Sequence, residues 1–238
     1  MDVDVNQLKF EIWSPGHPNT AAVRKTFSDR MSRLYLGWDD DFDRQFDAHS
    51  YLFVLWDGVG TYHATCRIIF KRLGGAPVLT PCETADGGRF SLPDEDTACE
   101  GSMVSMTSTQ ALRRLMYGVT RWLMENGVTR VYTTYDTNNA LIRRFHTRIL
   151  AMDEIAGATV VYRDFLRKDS LEPACWQMVQ VNPVRMGATM LANLLKAGGT
   201  ICAVPPEAPR LPQAPAVYEY QNAETVARHP RMPMPYRY

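Results

Sequence analysis

The stretch SYLFVLWDGVGTYHATCRIIF, residues 50–70, constrains the fold more than any other part of the chain. Two runs of β-branched, aromatic and aliphatic residues flank Asp57-Gly58-Val59-Gly60. This is the pattern of a β-hairpin, because glycine supplies the backbone conformations that a tight turn demands. The hairpin needs partners. LKFEIW (8–13) alternates like a strand, and CEGSMVSM (99–106), VTRVYTTY (128–135), ATVVYRDFL (158–166) and CWQMVQV (175–181) read as further strands.

Helices separate these runs. From about 21 to 34, after a possible Asn19 or Thr20 cap, Val23, Phe27, Met31 and Leu34 share one face. The strongest helix is 110–126, where Leu112, Leu115, Met116, Val119, Trp122 and Leu123 recur at three and four and Gly127 ends the pattern. NNALIRRFHTRIL (138–150) is amphipathic. Residues 72–98 are rich in Gly, Pro, Thr and Asp and read as loops around one short helix. The order β-α-β-β-β-α-β-α-β-β implies an α+β fold with helices on a mixed sheet. Residues 1–181 form the expected main domain. Residues 182–238 form an extension: a helix with Pro183 at its start, a stiff segment (204–217) with five prolines in 14 residues, and an extended or disordered tail.

The 238 residues suffice for one sizeable core, and the net charge of zero argues against nucleic acid as a main partner. No apolar run approaches the roughly 18 residues needed to span a bilayer. MDVDVNQLKF lacks the basic and apolar regions of a signal peptide, so the expectation is a cytoplasmic protein with no membrane contact. Five widely spaced cysteines offer no zinc pattern and read as buried free thiols.

Residues 39–47 hold five aspartates beside Trp38 and Phe46. An EF-hand is excluded, since Arg44 stands where the loop requires Gly and Ser50 where it requires a bidentate Glu; no metal is expected. A solvated loop accounts for Asp39–Asp41. Trp38, Phe46 and Asp47 suit a sulfonium or ammonium ligand better, through cation–π attraction and ion pairing. Glu100 lies in an apolar strand, where a carboxylate is costly unless partnered. It reads either as the partner of an arginine such as Arg67 or as a base for a substrate amine. Ser105, Thr107, Ser108 and Thr109 precede the strongest helix, where they cap it or face a phosphate. The five histidines are scattered and read as structural or surface groups.

In order, RKTFSDR, LGW, FD, CRIIF, CEGSMV and VYTTY…LIRRF resemble the motifs of LuxI-type acyl-homoserine lactone synthases over about residues 8–181. The resemblance implies a GNAT-like α/β/α sandwich: a central mixed, mostly antiparallel, twisted sheet with helices on both faces. It implies an N-acyltransferase that takes an acyl chain from acyl carrier protein or a CoA thioester onto an amine, typically that of S-adenosylmethionine, with no bound cofactor. An N-acyl amino acid synthase or tailoring acyltransferase using another small-molecule amine is the alternative. A non-catalytic binding protein on the same fold is a third.

The resemblance places Arg24, Phe27, Trp38, Asp43, Asp47 and Arg67 at the acceptor, and Glu100 near the amine as its proton acceptor. Backbone N–H groups of 101–105, including Ser102 and Val104, would hold the oxyanion. Met103, Met106, Val131, Thr133, Thr134 and Phe145 would line the acyl pocket. Arg113, Arg114, Arg121, Arg143, Arg144 and Arg148 would offer a basic face to carrier protein. Three departures stand out: Met103 replaces a family arginine, Arg44 replaces an acid although Asp43 is adjacent, and MSRLY is inserted before LGW.

Overall fold

The computed structural model describes residues 4–70, 73, 82–91 and 97–212. In chain order the elements are β1 (Lys9–Trp13), α1 (Thr20–Leu34), β2 (Tyr35–Leu36), α2 (Asp40–Arg44), β3 (Ser50–Trp56), β4 (Tyr62–Ile69), β5 (Cys82–Glu83), β6 (Arg89–Phe90), β7 (Ala98–Met106), α3 (Thr109–Glu125), β8 (Arg130–Asp136), α4 (Ala140–Arg144), β9 (Asp153–Arg167), β10 (Pro173–Val181) and α5 (Pro183–Lys196).

The hairpin 50–70 forms as β3 and β4, and Asp57 Oδ1 accepts from the backbone N–H groups of Val59 and Thr61 to close its turn. Its strands are apolar on both faces because both faces are covered. Tyr51, Phe53 and Leu55 join the main core under α3 and α5, whereas Leu52 and Val54 pack with Val23 of α1. Eight strands run in the order β1-β3-β4-β7-β8-β10-β9-β2. Every pair is antiparallel except β7–β8, which α3 connects. The expected mixed, mostly antiparallel sheet with helices on both faces is present.

Several boundaries differ. Asn19 occupies the N-cap of α1 in a helical conformation and its side chain caps nothing. Leu34 is exposed rather than core. The helix expected over 138–150 is α-helical only through Arg144; Phe145–Ile149 form a π-helical turn. β9 begins at Asp153, five residues before the expected start. The described part of 72–98 contains the small hairpin β5–β6; the short helix expected there lies outside the described residues, as does the tail beyond 212. Gly37 has φ +83°, and a Cβ there would sit 2.2 Å from the carbonyl oxygen of Asp164. Only glycine lets the chain leave β2 so close to β9 and turn Trp38 inward.

α5 packs on α3 through Met186, Met190 and Leu194, and Cys202 and Leu211 enter the same core. Trp122 anchors this region. It is fully buried, it contacts Tyr51, Phe53 and Phe70, and its Nε1–H donates to Pro209 O at 2.7 Å. Trp122→Ala empties the largest side-chain volume in the core and frees that carbonyl. The expected cost is about 3–5 kcal/mol, measured as a lower urea midpoint at unchanged slope.

Candidate active site

Pairing between β7 and β8 stops after three residue pairs, the last being Glu100 with Tyr132. Beyond that point the strands part. On its other edge β7 carries a bulge: Arg67 pairs with Ser102 but Thr65 with Ser105, so β7 spends one extra residue. Met103, at φ +48°, absorbs it. The result is a cavity of about 340 Å³ through the sheet. Successive residues line it irrespective of the face they belong to: Glu100, Gly101, Ser102, Met103 and Val104 from β7, and Thr133, Thr134, Tyr135 and Asp136 from β8. A gap between strands explains this, since in an intact sheet alternate residues face opposite sides.

One wall is aromatic and acidic. Phe27, Arg30, Tyr35, Trp38, Phe42 and Asp43 reach it from α1, β2 and α2, and Trp176 from β10. Arg67 and Asp43, both about 2% exposed, form its base. Arg67 Nη2 donates to Asp43 Oδ1 at 2.9 Å, Nη1 to Asp43 O at 2.9 Å and Nε to Ser102 Oγ at 2.9 Å. Trp38 Nε1–H donates to the second carboxylate oxygen of Asp43 at 3.0 Å. Burial pushes the Asp43 carboxyl up and the Arg67 guanidinium down, and each charge opposes the other's shift. A hydrogen-bonded buried pair of this geometry stays ionised.

Arg67 therefore has Asp43 as its ion-pair partner, whereas one of the two readings of Glu100 paired that carboxylate with an arginine such as Arg67. Glu100 is 3% exposed and lines the cavity, and its charge is felt at Arg67, Cys82 and Tyr162. The opposite wall, from α3 and α4, is apolar: Leu112, Ile142 and Phe145 with Met106 at the rim.

Of the residues expected at the site, Phe27, Trp38, Asp43, Arg67, Glu100, Ser102, Met103, Val104, Met106, Thr133, Thr134 and Phe145 line this cavity. Arg24 and Asp47 do not, which corrects their expected place. Arg24 is buried beside α2, where it pairs with both Asp40 and Asp47. Val131 lies in the core. Arg44, the charge inversion in the acidic segment, points away from the cavity and pairs with Asp40 and Asp41. The solvated-loop reading of Asp39–Asp41 is partly corrected: Asp39 caps α2 and Asp40 belongs to the Arg24 cluster. Among the described residues no group of acids, histidines and cysteines could hold a metal. Ser108 caps α3, accepting from Ala111 N–H. Three arginines of the expected basic face are engaged locally: Arg114 with Val5 O and Leu8 O, Arg121 with Glu125, and Arg143 with Glu154.

Sequence reasoning missed several contributors. Arg30 donates to Val104 O at 3.1 Å and lies over the Phe27 ring. Tyr35 O–H donates to Asp136 at 2.6 Å, and Arg167 pairs with the same carboxylate at 2.6 Å. Trp176 packs on Trp38. His146, taken for a structural group, lines the cavity. Only Arg30, within the SDR motif, carried a local signal.

The fold is similar to that of solved acyl-homoserine lactone synthases. No protein-family model matches the sequence, and no curated protein matches it. Among solved structures, it resembles the CoA-dependent acyl-homoserine lactone synthase BjaI with SAM and isopentyl-CoA, at 15% identity and TM-score 0.58 over 86% of this chain and 95% of that one. BjaI with MTA matches at 14% and 0.57 over the same shares. TofI in an apo form matches at 12% and 0.50, over 76% of this chain and 95% of that one. At these identities the likeness is one of fold.

Two outcomes follow from the geometry. Asp43→Asn leaves Arg67 buried against a neutral partner and should cost about 3–5 kcal/mol, read by chemical denaturation; Asp43→Leu combined with Arg67→Met should cost less than Asp43→Asn. Burial lowers His146 from 6.5 to about 4. The fold thus favours the neutral ring. Its contribution is fully present above pH 6.5 and is lost as pH falls toward 4, about 3 kcal/mol in all. Unfolding free energies across that window should fall less steeply in His146→Gln than in the wild type.

Proposed function

We propose that the chain is an N-acyltransferase that moves an acyl group from an acyl carrier protein or CoA thioester onto the amine of S-adenosylmethionine. The observation that carries the reading is the break between β7 and β8, with buried Glu100 at the point where the strands part. The break joins an aromatic, acidic wall to an apolar one. The first suits a sulfonium or ammonium acceptor, whose charge Trp38, Phe42, Tyr35 and Asp136 would receive. The second suits an acyl chain.

In this scheme Glu100 accepts a proton from the acceptor's ammonium group, directly or through water. The neutral nitrogen attacks the thioester carbonyl. The oxyanion forms beside the β7 amides around Ser102 and Val104, which β8 no longer covers. The carbon–sulfur bond then breaks, and the thiolate leaves with a proton as the amide forms. With S-adenosylmethionine, its carboxylate closes the lactone and expels methylthioadenosine. The helix start at 107–110 would meet the phosphate of the pantetheine arm.

A second reading keeps the donor and changes the amine, giving an N-acyl amino acid synthase or tailoring enzyme. Met103 favours it. This side chain packs with Trp13, Val23, Leu52 and Val54, where the family motif carries an arginine, and methionine cannot replace a forked cation.

The test is turnover of a panel of carrier-protein and CoA thioesters, with and without S-adenosylmethionine, read by mass spectrometry. Acyl-homoserine lactone with methylthioadenosine supports the first reading; thioester consumed only with another amine supports the second. No turnover by folded protein refutes both. Glu100→Gln should lower kcat by about 10²–10⁴-fold with little change in KM for the acceptor.

A further inference from the structure

Most of the charge on the cavity lining is settled within the protein. Asp43 is tied to Arg67, and every nitrogen of that guanidinium donates to Asp43 or Ser102. Asp136 is tied to Arg167 and to the Tyr35 hydroxyl. Glu100 is the proposed base. Arg30 also lines the cavity, and among the described residues no carboxylate pairs with it. Asp29, its neighbour in sequence, pairs with Lys25 instead, at 3.1 Å.

The guanidinium of Arg30 is held at a defined place. Nη2 donates to Val104 O at 3.1 Å, and Nη1 lies 3.5 Å from Ser105 Oγ. Its central carbon lies 5.5 Å from the centre of the Phe27 ring, which is itself set edge-on against Trp38. A guanidinium carries five N–H donors in a rigid fork, and these contacts use only part of it. The side chain is open enough to meet a ligand, yet partial burial lowers its pKa with no acid to oppose the shift. An anion brought to such a cation is favoured, and a planar oxyanion that takes two parallel N–H···O bonds fits the fork best.

Val104 follows Met103, where the related motif carries an arginine. The methionine packs with Trp13, Val23, Leu52 and Val54, so β7 brings no cation of its own here. We propose that Arg30, reaching in from α1, binds the carboxylate of the acceptor. The acceptor is then an α-amino acid, or a derivative with its carboxylate free, and not a simple amine. The inference rests on the acyltransferase reading above and holds for either of its acceptors. In that scheme the amine attacks beside the β7 amides around Ser102 and Val104. Along the strand, Glu100 stands on one side of those amides and the anchor of Arg30 on the other. The strand thus spaces a base for the nitrogen and a cation for the carboxylate on the adjoining carbon. The aromatic, acidic wall alone would accept any amine; Arg30 supplies the discrimination.

The experiment compares kcat/KM for S-adenosylmethionine with its decarboxylated form, and for phenylalanine with phenethylamine, using one thioester donor. Thiol release is the readout, because lactone closure itself needs the carboxylate. In whichever pair turns over, the carboxylate-bearing member should be favoured about tenfold or more. Arg30→Met should bring that ratio close to one through a higher KM for the carboxylate acceptor. Arg30→Lys, which keeps the charge without the fork, should retain part of it. Equal kcat/KM within an active pair of the wild type overturns the proposal and leaves acyltransfer standing, as does a wild-type ratio in folded Arg30→Met. The competing anion is the phosphate of the pantetheine arm, and matched pantetheine and phosphopantetheine thioesters separate the two. A loss in Arg30→Met confined to the phosphorylated donor overturns the proposal. Calorimetric titration of the same four acceptors without donor reads the subsite without turnover. Carboxylate-dependent binding that Arg30→Met abolishes, in a protein that consumes no thioester, would refute the acyltransfer reading and leave this one standing. No carboxylate-dependent binding in either pair overturns it.

Discussion

The buried pair of Arg67 and Asp43 holds the site in register. Its guanidinium ties three separate segments together: the side chain and main chain of Asp43 on α2, Ser102 on β7, and its own strand β4. α2 is only five residues long and could not persist alone. Its place is set by a charge it must not lose, because a guanidinium stripped of water and left without its carboxylate would be strongly destabilising. The second oxygen of that carboxylate fixes the indole of Trp38, and Trp38 in turn packs against Tyr35, Phe42, Phe165 and Trp176. The aromatic wall and the ionic base are therefore one construction.

What surrounds that pair is an interruption. A sheet of eight strands satisfies its backbone groups through its ladders, yet here a ladder ends after three pairs. The bulge at Met103 lets β7 stay bonded to β4 while turning extra backbone toward the gap. Polar backbone so released needs a partner from solvent or from a bound molecule. That requirement, more than the identity of any one side chain, favours a site for chemistry at a carbonyl group.

Local regularity made much of the fold legible. Residues 50–70 and 110–126 declare themselves through runs and periods that need no distant partner. Trp38 and the acids beside it could be singled out because large apolar groups rarely punctuate a charged loop. The pairings were another matter. Glu100 offered Arg67 a plausible carboxylate, but Asp43, 24 residues before Arg67, supplies it. The Tyr35–Asp136–Arg167 cluster joins three distant segments without a motif. The apolar spacing over 138–150 fits a regular helix, and nothing in it signals the π turn that carries His146 to the cavity.

A passage that crosses a sheet also has two sides that need not change together. The wall built by α1, β2 and α2 shares few side chains with the wall built by α3 and α4, and only the strand residues at the gap belong to both. Under the proposed acyltransfer, substitutions on the first could retune the choice of amine without disturbing the choice of acyl chain, and the reverse would hold for the second. Such a scaffold can diversify one wall at a time and leave the other as it was.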